Sequence, residues 1–270
     1  MPFRTDEVLL CRVLTFAVLL CWSASGVAQD KSAPPDPCVP VQKFTVWSGG
    51  GSWQSSHSNY VARAKRGGVN LVFFGDSITQ WWPWDDFKAR YEPLGAVNFG
   101  IGGDRVENLL WRVENGEMEG ITPKVAVLLI GTNNDFHRKD IPVAKGIAKV
   151  VEAIRKRSPA TKVLVLGIFP RGWDKGQFDF YVPHVKRVNA ELALLDNGDT
   201  VRFADIGQKL PEPDGSWPRS VSKDGLHLAS EGYRRWAKAM KPLLAEMMGL
   251  PESAFPEPVT EQKTKETSKN

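Results

Sequence analysis

The apolar residues of this chain fall into five short blocks, each closed by a turn. They are Val69–Phe74, Ala96–Phe99, Val125–Ile130, Lys162–Ile168 and Val201–Ala204. Val125–Ile130 is apolar at every position, as in a strand buried on both faces. Between the blocks the spacing changes to that of a helix. Val106, Leu109, Leu110 and Val113 share one face of Arg105–Val113, and Val143, Ile147, Val150, Val151 and Ile154 share one face of Pro142–Arg157. Further helices are predicted over Ser56–Arg66, stopped by Gly67-Gly68, and over Tyr181–Leu195 and Glu231–Met248. Thr79–Tyr91 mixes Trp81, Trp82, Trp84 and Phe87, and Pro83 disturbs any helix there. Strands alternating with helices, without internal repeats, predict a single-domain α/β protein: a parallel five-stranded sheet covered on both faces. Each strand ends in a turn containing Gly or Asp, and those turns gather along one rim of the sheet.

The two ends of the chain read differently. Val13–Trp22 is almost wholly apolar, is flanked by Arg4 and Arg12, and leads to the small residues Gly26-Val27-Ala28. Residues 1–28 are therefore expected to be a signal peptide, and the protein to be secreted or periplasmic without stable membrane insertion after cleavage. Asp6 and Glu7 leave an uncleaved anchor open, whereas Leu20 before Cys21 argues against a lipoprotein. The Pro-, Asp- and Lys-rich start of 29–66 reads as an arm preceding the first helix, 67–248 as the folded body, and 249–270 as a disordered tail. Cys38 would be the only cysteine after cleavage, so no internal disulfide is available. The net charge of +4 is spread without a basic run, which argues against a nucleic-acid groove.

Candidate chemistry begins at Leu71–Phe74, which runs directly into Gly75-Asp76-Ser77. A hydroxyl at the carboxyl end of a buried parallel strand stands where open α/β sheets bind ligands. A serine hydroxyl needs a base and an oxyanion site before it can act as a nucleophile. Of four histidines, His227 is the informative one, since Asp224 three residues earlier can hold one ring nitrogen and leave the other to accept the Ser77 proton. The alternative for that pair is a helix-start aspartate beside an unrelated surface histidine. Candidate oxyanion donors are the Ser77 N–H, a backbone N–H of Gly102-Gly103 and the Asn133 amide, although the glycines could simply make a turn and Asn133 could cap a helix. The scattered histidines suggest no metal, and no cofactor is expected. A dinucleotide reading of Gly100-Ile101-Gly102 fails at Arg105, where a third glycine would sit. The Gly-x-Ser-x-Gly elbow of another hydrolase class is absent around Ser77. Trp47-Ser48-Gly49-Gly50-Gly51-Ser52-Trp53 lacks the Lys-Ser/Thr ending of a phosphate loop and is read as structural.

Gly75-Asp76-Ser77, the glycines of Gly100–Asp104, Gly131-Thr132-Asn133-Asn134 and Asp224-Gly225-Leu226-His227 resemble, in order, the four signature blocks of the SGNH (GDSL-type) hydrolases. The resemblance spans about residues 69–245 and is strongest to the platelet-activating-factor acetylhydrolase subgroup, through Asn98–Asp104, Leu110–Glu117 and Leu166–Gly172. It implies a flavodoxin-like three-layer α/β/α fold and a catalytic triad of Ser77, Asp224 and His227. It also implies oxyanion donors at Ser77, Gly103 and Asn133, the choice of Gly103 over Gly102 resting on the subgroup motif. Trp81 and Trp82, which depart from the subgroup, are candidate pocket residues, as is Arg171.

The expected function is that of an esterase removing small acyl groups, acetyl foremost, through an acyl-enzyme. Its partner would be a small-molecule ester, either an acetylated carbohydrate or a short-chain lipid, and a homodimer is compatible with the resemblance. The rival readings are a tryptophan-rich glycan-binding module without turnover and a phospholipid acylhydrolase. The subgroup's cytosolic address does not fit the expected signal peptide, so lipid specificity does not carry over.

Overall fold

The computed structural model describes residues 35–134, 142–171 and 175–257, with side chains of 175–180 left aside. The expected signal peptide and His137 lie outside the described residues. The described residues belong to one compact unit. Its elements, in chain order, are α1 (Trp53–Lys65), β1 (Leu71–Gly75), α2 (Ser77–Gln80), α3 (Trp84–Tyr91), β2 (Ala96–Gly100), α4 (Val106–Arg112), β3 (Val125–Leu129), α5 (Val143–Arg157), β4 (Lys162–Leu166), α6 (Lys175–Ala193), β5 (Val201–Ala204) and α7 (Ser230–Met248).

The five strands form one parallel sheet in the order β2-β1-β3-β4-β5. This is the flavodoxin-like doubly wound order, with its reversal beside β1. Alternate residues of each strand feed opposite layers. Val72 and Phe74 of β1 join Ala126 and Leu128 of β3 under α4, α5 and α6. Leu71 and Phe73 join Val125, Val127 and Leu129 under α3 and α7. Burial on both faces explains why β1 and β3 read as unbroken apolar runs, whereas Asn98 of β2 and Arg202 of β5 sit at half-buried positions.

Pro83 splits the 77–91 stretch into α2 and α3, as its missing N–H and fixed φ require. The Trp47–Trp53 glycine stretch is a tight reversal, closed by Trp47 N–H donating to the Gly51 carbonyl at 2.9 Å and followed by the Ser52 cap of α1. Disorder was expected from residue 249, but the chain packs on through residue 257. Phe255 is 6% exposed against the α3–α7 layer, and Glu257 accepts from Arg90 Nη1 at 2.8 Å. Among the described residues, no helix is long and apolar enough to cross a membrane.

Candidate active site

The turn after β1 is fixed from three sides. Asp76 caps α2 by accepting the Ile78 N–H at 2.9 Å. Asn98 Nδ2 donates to the Thr79 carbonyl at 2.7 Å, and Tyr233 Oη donates to the Ile78 carbonyl at 2.8 Å. Gly100 lets β2 pass under this turn, since a Cβ there would come within 2.4 Å of the Gln80 nitrogen. Ser77 thus opens a one-turn helix at the carboxyl end of a central strand, its N–H having no intrahelical acceptor.

A loop between β5 and α7 reaches the same point. Ser77 Oγ lies 3.0 Å from His227 Nε2, and His227 Nδ1 lies 2.6 Å from Asp224 Oδ2. The other Asp224 oxygen accepts the N–H groups of Leu226 and His227 at 3.0 and 2.7 Å, so one carboxylate shapes the loop and holds the ring. Burial alone would raise the Asp224 carboxyl. The hydrogen bonds from the His227 ring and the two N–H groups outweigh it and bring the carboxyl down to about 2. The Trp81 indole is tilted against the His227 ring, with centroids 4.2 Å apart and 41° between the planes.

A cleft of about 540 Å³ opens at these residues, and Gly102, Gly103, Asn133 and Leu226 line it as well. The two glycines differ in what their N–H groups do. Gly102 N–H donates to Gln80 Oε1 at 2.8 Å, whereas the Gly103 N–H has no acceptor among the described residues. Gly103 has φ +71°, a conformation natural to glycine, and its carbonyl accepts from Lys43 Nζ at 2.7 Å. One Asn133 amide hydrogen is committed to the Asp104 carbonyl at 2.9 Å; an amide carries two.

Of the expected pocket residues, Trp82 lies elsewhere and Arg171 is engaged in structural contacts. Trp82 is 4% exposed and packs among Phe73, Phe87, Tyr91 and Trp236, with its indole N–H donating to Asp86 Oδ2 at 2.7 Å. It is a core residue because α2 ends at Gln80 and the next two side chains diverge, Trp81 outward and Trp82 inward. Arg171 donates to the Thr132 carbonyl and covers the Tyr181 ring at 4.6 Å, tying the β3 turn to α6; it is not among the described lining residues. Conversely, Lys43, Trp47, Gln80 and Leu226 line the cleft although sequence reasoning did not select them. Leu226 lies inside the Asp224–His227 block and could have been flagged. Lys43 and Trp47 sit in a segment without periodicity and carry no such signal.

Beneath the rim lies a buried charged network. Arg112 donates to the Phe99 carbonyl at 2.8 Å and the Gly75 carbonyl at 3.3 Å, the last turns of the two strands that carry the site. It pairs with Asp104 and Glu117, each at 2.8 Å, and Trp53 Nε1 donates to Asp104 Oδ1 at 2.6 Å. The Asp104–Arg112 contact is close but its angle departs from a hydrogen bond, so it is an electrostatic pair. His57 Nδ1 lies 2.9 Å from Glu117, giving this histidine a structural setting. Among the described residues no cluster of His, Cys, Asp or Glu could hold a metal ion.

A doubly wound parallel sheet with a hydrogen-bonded serine, histidine and aspartate at its carboxyl rim defines an α/β protein of hydrolase type. The sequence model of the GDSL-like Lipase/Acylhydrolase family matches residues 73–235, and the chain belongs to that family. It is similar to platelet-activating factor acetylhydrolase IB subunit alpha1 of Rattus norvegicus, 35% identical over 83% of this chain and 93% of the relative. Similarity to the rat alpha2 subunit is 36% over 73% of this chain and 85% of the relative. Among solved structures, a GDSL-like lipase from Bacteroides thetaiotaomicron shares the fold at a TM-score of 0.56 and 18% identity, covering 70% of this chain and 97% of its own. The protein is a carboxylic ester hydrolase.

Proposed function

We propose that the protein is a secreted or periplasmic serine esterase that removes small acyl groups, acetyl foremost, through an acyl-enzyme on Ser77. The observation that carries this reading is the continuous line from Ser77 Oγ through the His227 ring to Asp224, 3.0 and 2.6 Å long, at the mouth of the cleft. His227 Nε2 takes the Ser77 proton as Oγ attacks the ester carbonyl, and Asp224 holds the ring and favours the imidazolium that forms. The oxyanion accepts from the Ser77 and Gly103 N–H groups and the free Asn133 amide hydrogen. His227 then returns its proton to the departing alcohol, and water repeats the cycle on the acyl-enzyme. Arg112 and Asp104 act through the backbone, fixing the strand ends from which these donors project.

The acetyl preference draws on the acetylhydrolase relatives. They also favour a lipid acylhydrolase as the second reading, while the exposed Trp81 ring at the cleft suits a sugar face. The extracytoplasmic address rests on residues 1–28 alone and predicts a mature chain beginning near Gln29, checked by N-terminal sequencing of the exported protein. The deciding experiment is hydrolysis of p-nitrophenyl esters from acetate to octanoate by wild type and Ser77→Ala. Fastest turnover of acetate, lost at least about 10³-fold in the variant, is expected. Full activity in Ser77→Ala overturns the reading, and rates rising with chain length replace it with the lipid alternative.

A further inference from the structure

The cleft does not end at the oxyanion donors. On the far side of Gly103 and Asn133 it continues into an open groove of about 550 Å³, with Lys43, Gly103 and Asn133 common to both. The second groove is mixed in polarity, with Val41 and Phe44 on its wall, and carries two cations, Lys43 from the arm and Arg105 from the turn after β2. Neither forms an ion pair with the described residues, and Lys43 spends one hydrogen bond on the Gly103 carbonyl. Glu107 also lines the groove, but it is 1% exposed and its carboxylate accepts from Asn134 Nδ2 at 2.9 Å. Burial raises that carboxyl from its ordinary value against the opposing pull of its hydrogen bonds and of Arg105, and it meets the two cations only from the buried side of the groove. Lys43 is half-buried, and burial lowers its ammonium from the ordinary lysine value, a penalty that a bound anion would relieve.

We propose that this groove is a subsite for an anionic group, carboxylate or phosphate, carried by the ester substrate and held by Lys43 and Arg105 while the acyl carbon lies at Ser77. The inference rests on the esterase reading of Ser77. The two cations would contribute through partly exposed charge-assisted hydrogen bonds, so each is worth roughly a three- to tenfold effect on an anionic substrate, weakening as salt screens it.

The test compares 4-acetoxybenzoate with 4-acetoxybenzamide, which share the acetyl group and differ in charge. Wild type is expected to favour the anion in kcat/KM at low salt. The anion-to-amide ratio should fall several-fold in Arg105→Gln and drop below one in Arg105→Glu, mostly through KM. Lys43→Gln should lower both rates, because it also loosens Gly103, and the anion's more. A ratio near one in wild type, or the same ratio in all variants, overturns the proposal while leaving the esterase reading intact. A second readout needs no turnover: tryptophan fluorescence of Ser77→Ala titrated with 4-hydroxybenzoate and 4-hydroxybenzamide. Tighter binding of the anion, lost in Ser77→Ala/Arg105→Gln, supports the subsite even if no ester is cleaved, and equal binding overturns it. An O-acetylated uronic-acid oligosaccharide and a dispersed acetyl phospholipid then separate the carboxylate source from the phosphate source, the preferred one being that whose rate depends on Arg105.

Discussion

Two neighbouring side chains show how single residues set the chemistry. Asp76 is 1% exposed beside Ser77, one oxygen bonded to the Ile78 N–H and the other without a partner among the described residues. Burial raises its carboxyl to about 7, with the nearby Asp104 charge adding to the rise and the Ile78 N–H and Arg171 opposing it. Because the folded protein holds this proton more tightly than the unfolded chain, stability should fall as pH rises from about 4 towards 7. Asp76→Asn keeps the cap and carries no charge. Its unfolding free energy relative to wild type should therefore improve by at least about 1 kcal/mol between pH 4.5 and pH 7.5, measured by urea titration at both values. A difference independent of pH would mean that Asp76 stays ionised in the folded state. Trp81 acts on the other partner. Its ring is tilted against the imidazole, centroids 4.2 Å apart, and helps to hold that ring in place beside Ser77. Trp81→Leu should lower kcat about two- to tenfold, a size expected of one aromatic pair, and leave the folded state unchanged by circular dichroism.

Among the elements, β1 and β3 were the most legible, because burial on both faces leaves no polar position to interrupt the pattern, while β2 and β5 each carry one half-buried polar residue, Asn98 and Arg202. The helices were legible from their apolar faces, except where packing overrides pattern. Trp81 and Trp82 are adjacent, and only the end of α2 decides that one faces the cleft and the other the core. The arm was opaque for a different reason. Its course is set by long-range bonds, Val41 N–H to the Glu107 carbonyl at 3.0 Å and Lys43 to Gly103, which leave no periodic trace in the sequence. The same holds for Arg112, whose position on an amphipathic helix gives no sign that it joins β1, β2 and two carboxylates. Removing it should be costly in proportion. Arg112→Met leaves Asp104 and Glu117 buried without their cation, which predicts a loss of about 3–5 kcal/mol in denaturant unfolding. Arg112→Met/Glu117→Gln should recover part of that loss, because one uncompensated charge is removed; an equally unstable double variant would refute the electrostatic account.

At the scale of the whole molecule, the site and the scaffold are separable in a way the chain's end can test. The segment after α7 folds back so that Phe255 fills a gap between α3 and α7, while Glu257 meets Arg90 at 2.8 Å and Lys241 at 3.4 Å. None of these groups lines the cleft at Ser77. The ion pairs involve a half-exposed glutamate and should be worth little, so the apolar contact dominates. Burying one phenylalanine side chain is worth about 1.5–3 kcal/mol. A chain ending at Leu250 should therefore unfold at lower urea concentration by that amount, and Phe255→Ala in the full chain should reproduce most of the loss. Both should keep the wild-type kcat/KM on p-nitrophenyl acetate under conditions where they remain folded. If the truncated chain instead lost activity while staying folded, the α3–α7 layer would be coupled to the rim, and the route would run through Trp82, which touches both α3 and Trp236 of α7. Trp82→Phe would then reproduce the activity loss without the truncation.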